Sequence, residues 1–133
     1  MTREITVAIR DLVAENIFQP LGADGPFRVV LSSTNDRLVM DIVGETGTPV
    51  GRPAIPLAPL RGLVKDYLMI CDVHYAALRS ARPERLQAID VGRRGLHDEG
   101  AEILRDMLAG AVEVDHATSR RLFTLLCAME MRP

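Results

Sequence analysis

The sequence predicts an α+β fold in which a small antiparallel three-stranded meander carries about four helices on one face, within a single domain. Three observations lead to this prediction. The chain has 133 residues, which suits one domain rather than two. Short segments between residues 27 and 57 alternate apolar and polar residues, as half-buried strands do. Longer segments on both sides repeat apolar residues at the helical spacing of three and four.

The first predicted element is a helix within residues 1–16, covering about residues 3–15. Its apolar residues form one stripe, made of Ile5, Ile9, Leu12 and Val13. A break in regular structure follows the helix, because the next segment contains Pro20, Gly22, Gly25 and Pro26.

The meander is predicted over residues 27–57. Residues 27–33 and 37–43 alternate in polarity, and the turn-tolerant Thr34, Asn35 and Asp36 between them indicate a hairpin. A second turn is expected near Gly47. Residues 50–57 form the weaker third strand, and their two prolines place it at an edge, since proline has no N–H to donate to a ladder.

Residues 59–131 are predicted to be the helical part. Two helices begin at Pro59 and Pro83, because proline suits the first helical turn. The first is expected to reach about Ser80, and Gly110 ends the second. Residues 112–114 are a candidate bridge, and Asp115 is a suitable N-cap for a last helix.

Composition excludes several classes of protein. Apolar residues make up 47% and charged residues 26%, which is ordinary globular usage and excludes a disordered chain. The net charge of −2 provides no overall attraction to nucleic acid or to an anionic membrane. No apolar run approaches the ~18 residues of a membrane span, and charges interrupt any signal-peptide core. Cys71 and Cys127 are interpreted as buried reduced thiols, which favours a cytoplasmic location.

The strongest candidate for chemistry is the segment 90–99. On a helix, Asp90, Arg93 and His97 fall at i, i+3 and i+7 and share one face. One interpretation is an anion site, with Arg93 and Arg94 as donors and His97 as a donor or proton shuttle. The other is structural: Asp90 pairs with an arginine and His97 is a packing residue. Gly92 and Gly95 favour the first, because close backbone approach is one reason to tolerate helical glycine.

Other candidates are weaker. Tyr67, Cys71 and His74 share a helix face, but a Cys-x2-His spacing is only half a zinc site and the sequence has no second half, so no metal is expected. We also expect no cofactor and name no catalytic residue, because phosphate loops and serine nucleophile elbows are missing from the sequence. Basic residues recur in pairs, and placed together they would form a basic face: Arg61 and Lys65, Arg93 and Arg94, Arg120 and Arg121. With five aromatics in the chain, binding of nucleic acid by stacking is not expected.

Three segments resemble the uncharacterised protein family 0262 of alphaproteobacteria: residues 60–78 (LRGLVKDYLMICDVHYAAL), 88–104 (AIDVGRRGLHDEGAEIL) and 112–129 (VEVDHATSRRLFTLLCAM). The resemblance implies a small cytoplasmic bacterial protein and implies no activity. It also implies a longer N-terminal segment and an aromatic tail in family members, where this chain has Glu130 and Met131. The residues that match the family pattern are Lys65, Asp66, Tyr67, Arg93, Arg94, His97, Glu99, Arg120 and Arg121.

Two functional hypotheses follow. The first is a non-enzymatic cytoplasmic binding or adaptor domain. The alternative is a small-molecule sensor or enzyme that binds a phosphate- or carboxylate-bearing ligand through Arg93, Arg94 and His97, with Lys65 and Arg120 completing the anion site. If these five residues line one pocket, the ligand hypothesis gains support, and if they are dispersed into local ion pairs, the adaptor hypothesis does.

A protein partner or a homodimer is also expected, and no membrane. In the last helix the apolar residues cover more of the circumference than one core contact needs: Leu122, Phe123, Leu125, Leu126 and Met129. The first helix adds a second apolar stripe that needs cover, so the sequence predicts docking through a helix face. The alternative is a compact monomer in which the four helices cover one another.

Overall fold

The computed structural model describes residues 2–34 and 36–130, with side chains from residue 6 onward. These residues form four helices and six short strands, so the α+β prediction is confirmed. The helices are α1 (Thr2–Ala14), α2 (Ala58–Ala77), α3 (Pro83–Leu108) and α4 (His116–Glu130). The strands are β1 (Phe18–Pro20), β2 (Phe27–Ser33), β3 (Arg37–Gly44), β4 (Pro49–Gly51), β5 (Ala54–Pro56) and β6 (Val112–Val114).

The larger sheet is organised around β3. Strand β2 pairs with one side of β3 as the predicted hairpin, and the Thr34 N–H donates to the Arg37 carbonyl at 3.0 Å. The predicted turn residue Asn35 lies outside the described residues. The predicted third strand is divided into β4 and β5, which both pair with the other side of β3. The division falls at Pro53, which has no N–H for the ladder and whose carbonyl accepts from the Met40 N–H at 3.0 Å.

A second, two-stranded sheet joins β1 to β6, with Phe18 opposite Val114 and Pro20 opposite Val112. Residues 112–114 were a candidate bridge, whereas β1 was not predicted at all. Pro20 suggested a break in regular structure, and the partner strand that stabilises β1 lies more than 90 residues away, beyond the reach of a local pattern.

The core lies between the helices and the face of β3 that carries Met40 and Ile42. Helix α3 packs on both α2 and α4, and Leu60, Leu104 and Leu126 are fully buried. Phe123 is also fully buried, whereas Leu125 on the opposite side of α4 and Met129 are only half-buried. Docking through a helix face therefore stays a prediction. Helix α2 ends three residues earlier than predicted, and α3 ends before Gly110.

Helix α1 packs mainly against α4, and its predicted apolar stripe is only partly covered. The buried position is Ala8, whereas Ile9 is 49% exposed and Val13 is 80% exposed. Ile9 and Val13 are exposed because α1 does not pack against β2. An apolar groove of about 800 Å3, here called the α1–β2 groove, separates α1 and α4 from the Phe27, Val29 and Leu31 side of β2.

Helix α4 begins with the predicted cap. The Thr118 N–H donates to the Asp115 carboxylate at 2.9 Å. Hydrogen bonds from the Thr118 hydroxyl and from this N–H hold the pKa of that carboxyl below its usual value. Asp115→Ala should lower the free energy of unfolding by about 1 kcal/mol. Urea denaturation at neutral pH would measure the loss. Asp115→Asn keeps an oxygen acceptor and should retain most of the stability, so an equal loss in both variants would contradict the capping role.

Candidate functional site

A pocket of about 460 Å3, here called the arginine pocket, lies where the four helices meet. It brings together four of the five predicted anion-site residues, Arg93, Arg94, His97 and Arg120. The remaining lining residues are Val7, Ala8, Asp11, Tyr67, Ala117, Arg121 and Thr124. Lys65 is exposed and lies outside this lining. The physical reason is helical geometry. Tyr67 is the α2 residue that lines the pocket, and Lys65 precedes it by two positions. Each position turns a side chain by about 100° around the helix axis, so Lys65 lies on a different face of α2.

Asp90 anchors two of these arginines. Arg93 donates to Asp90 Oδ1 from Nε at 3.1 Å and from Nη2 at 2.6 Å, and Arg94 Nε lies 3.0 Å from Asp90 Oδ2. His74 Nε2 lies 3.6 Å from the same carboxylate. The hydrogen bond from Arg93 holds the pKa of Asp90 below its usual value. Asp90 and Arg93 therefore share a helix face, as the sequence predicts. They also form the ion pair that the structural interpretation of residues 90–99 requires.

His97 forms the floor of the pocket and is only 6% exposed. Its Nε2 lies 2.8 Å from Thr124 Oγ1, and that hydroxyl is 3.2 Å from the Arg120 carbonyl, to which it donates. Arg120 Nε donates to His97 Nδ1 at 3.5 Å. This network assigns the neutral tautomer with the proton on Nε2, because Nδ1 is the acceptor. Burial, followed by the charge of Arg120, lowers the pKa of His97 to about 4.

The other nucleophile candidates are held in their neutral forms. Burial raises the pKa of the Tyr67 phenol, which also hydrogen-bonds with Arg93 and Cys71. Burial likewise raises the pKa of the Cys127 thiol to about 12. His74 lies beside the Asp90 carboxylate, and Cys71 hydrogen-bonds with Tyr67. Within the described ranges, no three His, Cys, Asp or Glu side chains are grouped so as to hold a metal ion.

Sequence reasoning missed a chain of contacts at the rim between α3 and α4. Asp98 Oδ1 lies 3.1 Å from Arg120 Nε and 3.4 Å from His116 Nε2, and His116 Nδ1 lies 3.0 Å from Glu102. Arg121 Nη1 donates to the Glu15 carbonyl of α1's C-terminal end at 2.6 Å. The Arg120-Arg121 pair was visible in the sequence, but only the structure shows that both residues line one pocket.

The structure gives another explanation for Gly92 and Gly95, the two helical glycines that favoured the anion-site interpretation. A Cβ at Gly92 would lie 3.0 Å from Ile70 Cδ1 of α2, so Gly92 allows α3 to pack tightly on α2. A Cβ at Gly95 would meet no atom within 4 Å. Neither glycine lines the arginine pocket.

The fold and the pocket together define a small α+β protein in which four packed helices carry a guanidinium-lined pocket. A family model described as an uncharacterised protein family, UPF0262, matches residues 1–132, and the chain belongs to this family. The expectation of an alphaproteobacterial family is thereby confirmed, and the family description carries no activity.

Curated relatives extend beyond this chain. A UPF0262 protein of Bradyrhizobium sp. strain ORS 278 is 52% identical over 131 residues, which cover 97% of this chain and 78% of the relative. A UPF0262 protein of Rhizobium johnstonii is 51% identical over 130 residues, which cover 97% of this chain and 83% of the relative. No solved structure matches the chain. No helix in the described part of the chain combines the length and the apolar character that crossing a bilayer requires.

Proposed function

We propose that this protein is a non-enzymatic, cytoplasmic binding protein whose arginine pocket holds a small phosphate- or carboxylate-bearing ligand. The observation that supports the proposal is the convergence of four guanidinium groups, those of Arg93, Arg94, Arg120 and Arg121, on one pocket of about 460 Å3. This volume falls within the roughly 300–1,000 Å3 of small-molecule sites.

The arginines retain donors that point to an anion. Each guanidinium has five N–H groups in a planar fork. Arg94 and Arg120 use Nε for their carboxylates, and Arg121 uses one terminal nitrogen. Arg93 uses Nε and one terminal nitrogen for Asp90 and also hydrogen-bonds with Tyr67. Phosphate and carboxylate oxygens match the remaining terminal N–H groups.

The charge balance around the pocket supports the same ligand class. Four arginines face three carboxylates, those of Asp11, Asp90 and Asp98, which leaves an excess of one positive charge. The excess is local, since the whole chain has a net charge of −2. A ligand with one or two negative charges would balance it.

The state of the buried groups supports binding rather than catalysis. At neutral pH His97 is neutral, and its Nδ1 lone pair already accepts from Arg120, so no general base is available on this ring. The Tyr67 phenol and the Cys127 thiol are held protonated by burial, and neither is an activated nucleophile.

The competing hypothesis is an adaptor in which these arginines only hold the helices together. The ion pairs from Arg93 and Arg94 to Asp90 and from Arg120 to Asp98 favour it. The two hypotheses differ in one respect: a purely structural cluster gains nothing from added phosphate, whereas a binding site does.

Inorganic phosphate should therefore raise the melting temperature above the effect of chloride at matched ionic strength. At a concentration ten times the dissociation constant, the increment should be about 4 °C, since about 1.4 kcal/mol is gained by linkage. Arg93→Ala should abolish the increment, and Arg93→Lys should weaken it because lysine lacks the planar fork.

The matched control is Arg52→Ala. Arg52 also donates to a carboxylate, that of Asp41 at 2.9 Å, but lies outside the arginine pocket. This variant removes one positive charge and one ion pair and should keep the full phosphate increment. Equal increments in the wild type, Arg93→Ala and Arg52→Ala would leave the adaptor hypothesis in place and contradict the binding site.

A further inference from the structure

The two edges of the larger sheet differ in how well they are protected from pairing with a strand of another chain. At one edge β4 and β5 are only three residues long, contain Pro49 and Pro56, and are separated by Pro53, with a register shift against β3. Short strands, prolines and irregular pairing are the devices that prevent an edge from pairing with another chain. At the other edge β2 runs for seven residues, contains no proline and pairs with β3 in one continuous register.

The hydrogen-bonding direction along β2 follows from the hairpin register. The Thr34 N–H bonds to the Arg37 carbonyl, and hydrogen-bonded pairs alternate along an antiparallel ladder. On the far side of β3, Met40 donates to Pro53 and Gly44 to Thr48, which agrees with this alternation. The N–H and C=O groups that point away from the sheet therefore belong to Phe27, Val29, Leu31 and Ser33. No hydrogen bond within residues 2–34 and 36–130 reaches them.

Three of these residues also have apolar side chains that border the α1–β2 groove: Phe27, Val29 and Leu31. They are only half-buried, although the residues opposite Val29 and Leu31 on β3, Ile42 and Met40, are buried. Across the groove Ile9 and Val13 are exposed. The apolar face of the sheet thus continues to an edge that offers both backbone hydrogen bonds and an uncovered apolar surface.

The geometry points to a second copy of this chain as the occupant: β2 pairs antiparallel with β2 of the partner subunit about a twofold axis at Val30. This register matches the outward-pointing groups of both strands. Val29 faces the partner's Leu31, and Phe27 faces the partner's Ser33, so four residue pairs exchange backbone hydrogen bonds.

The side chains of β2 are compatible with this self-pairing. Arg28 is the one charged residue between 27 and 33, and in this register it faces the uncharged Ser32 of the partner subunit, so no like charges meet. Val30, which is 53% exposed on the outer face of the sheet, meets the partner's Val30 at the axis. On the inner face, the partner's Val29 and Leu31 extend the apolar floor of the groove.

Light scattering at micromolar concentration should give a mass of about twice 14.6 kDa. Val30→Lys and Val30→Glu should each raise the dimer dissociation constant at least tenfold, because like charges then lie opposite each other at the axis. Mixing the two variants should restore the dimer as a heterodimer. Val91→Lys replaces a valine of similar exposure on α3, 64%, and should leave the dimer unchanged.

Disulfide formation tests the register directly. Val30→Cys should give an intermolecular disulfide on mild oxidation, since a non-hydrogen-bonded pair places the two Cα atoms about 4.5 Å apart. Arg28→Cys lies on the same face, but its two copies would be about 14 Å apart and should not link. A monomeric mass at hundreds of micromolar would overturn the inference. A dimer that is indifferent to both charge variants and that does not link through Val30→Cys would overturn it as well.

Discussion

Gly100→Ala is expected to lower the free energy of unfolding by about 3 kcal/mol, the largest single-residue effect that we predict. An added Cβ would lie 2.7 Å from Phe123 Cε2 and closer still to Cε1 and Cζ of the same ring. Phe123 is fully buried and stacks edge-on against His97 at 5.3 Å and Tyr67 at 5.9 Å, so the ring has no room to retreat. The alanine methyl would instead push α4 away from α3.

Gly95→Ala provides the matched control one and a half turns earlier in α3. A Cβ there meets nothing within 4 Å, so alanine should raise the free energy of unfolding by up to about 1 kcal/mol through helix propensity. Urea denaturation of both variants gives the comparison. Similar changes in the free energy of unfolding for the two variants would show that the packing of Phe123 against α3 does not cause the loss of stability in Gly100→Ala.

The second large effect is a loss of stability in acid that originates at His97. In the native state its pKa is about 4, whereas an unfolded histidine has a value near 6.5. The folded state therefore disfavours the proton, and stability that is present above pH 6.5 is lost as the pH falls from 6.5 towards 4. We expect a loss of about 2 kcal/mol, which is less than the full linkage value because water reaches the neighbouring Arg120.

His97→Gln isolates this contribution from the carboxylates that titrate in the same range. Glutamine has an amide donor for Thr124 and no ionisable group, so its stability should fall less steeply between pH 6.5 and 4 than that of the wild type. NMR titration of the His97 ring gives an independent measurement. Protonation at or above pH 6.5 would mean that Asp98 outweighs burial and Arg120, which would contradict the pKa direction.

Local patterns predicted much of the fold, and the limits of prediction have physical causes. Alternation identified β2 and β3, and Pro59, Pro83 and Asp115 marked helix starts correctly. The strand β1 depends on a partner distant in sequence, so no local signal could identify it. The apolar stripe of the first helix was expected to need cover, and Ile9 and Val13 are exposed, but a helical stripe shows which face is apolar and not which element covers it.

The candidate site was predicted in the same uneven way. The helix periodicity placed Arg93 and His97 on one face correctly, since i, i+3, i+4 and i+7 neighbours depend only on α3 itself. Lys65 was grouped with them by charge alone, and its place on α2 turns it away. The contact of Thr124 with His97 joins two helices, so it depends on how α3 and α4 pack. The packing role of Gly100 was not predicted for the same reason, because its close approach to Phe123 depends on how α3 and α4 pack.

The link between the two ends of the described chain has a consequence for biosynthesis. The Ile17 N–H bonds to Thr118, β1 pairs with β6, and the Glu15 carbonyl accepts from Arg121 across 106 positions. Residues 15–20 leave the ribosome before α4 does and must therefore wait until α4 has emerged before they find these partners. At about 5–20 residues per second this wait is roughly 5–20 s. During that interval α1 presents its apolar side to the cell without a partner, so we expect nascent chains to engage chaperones through this helix.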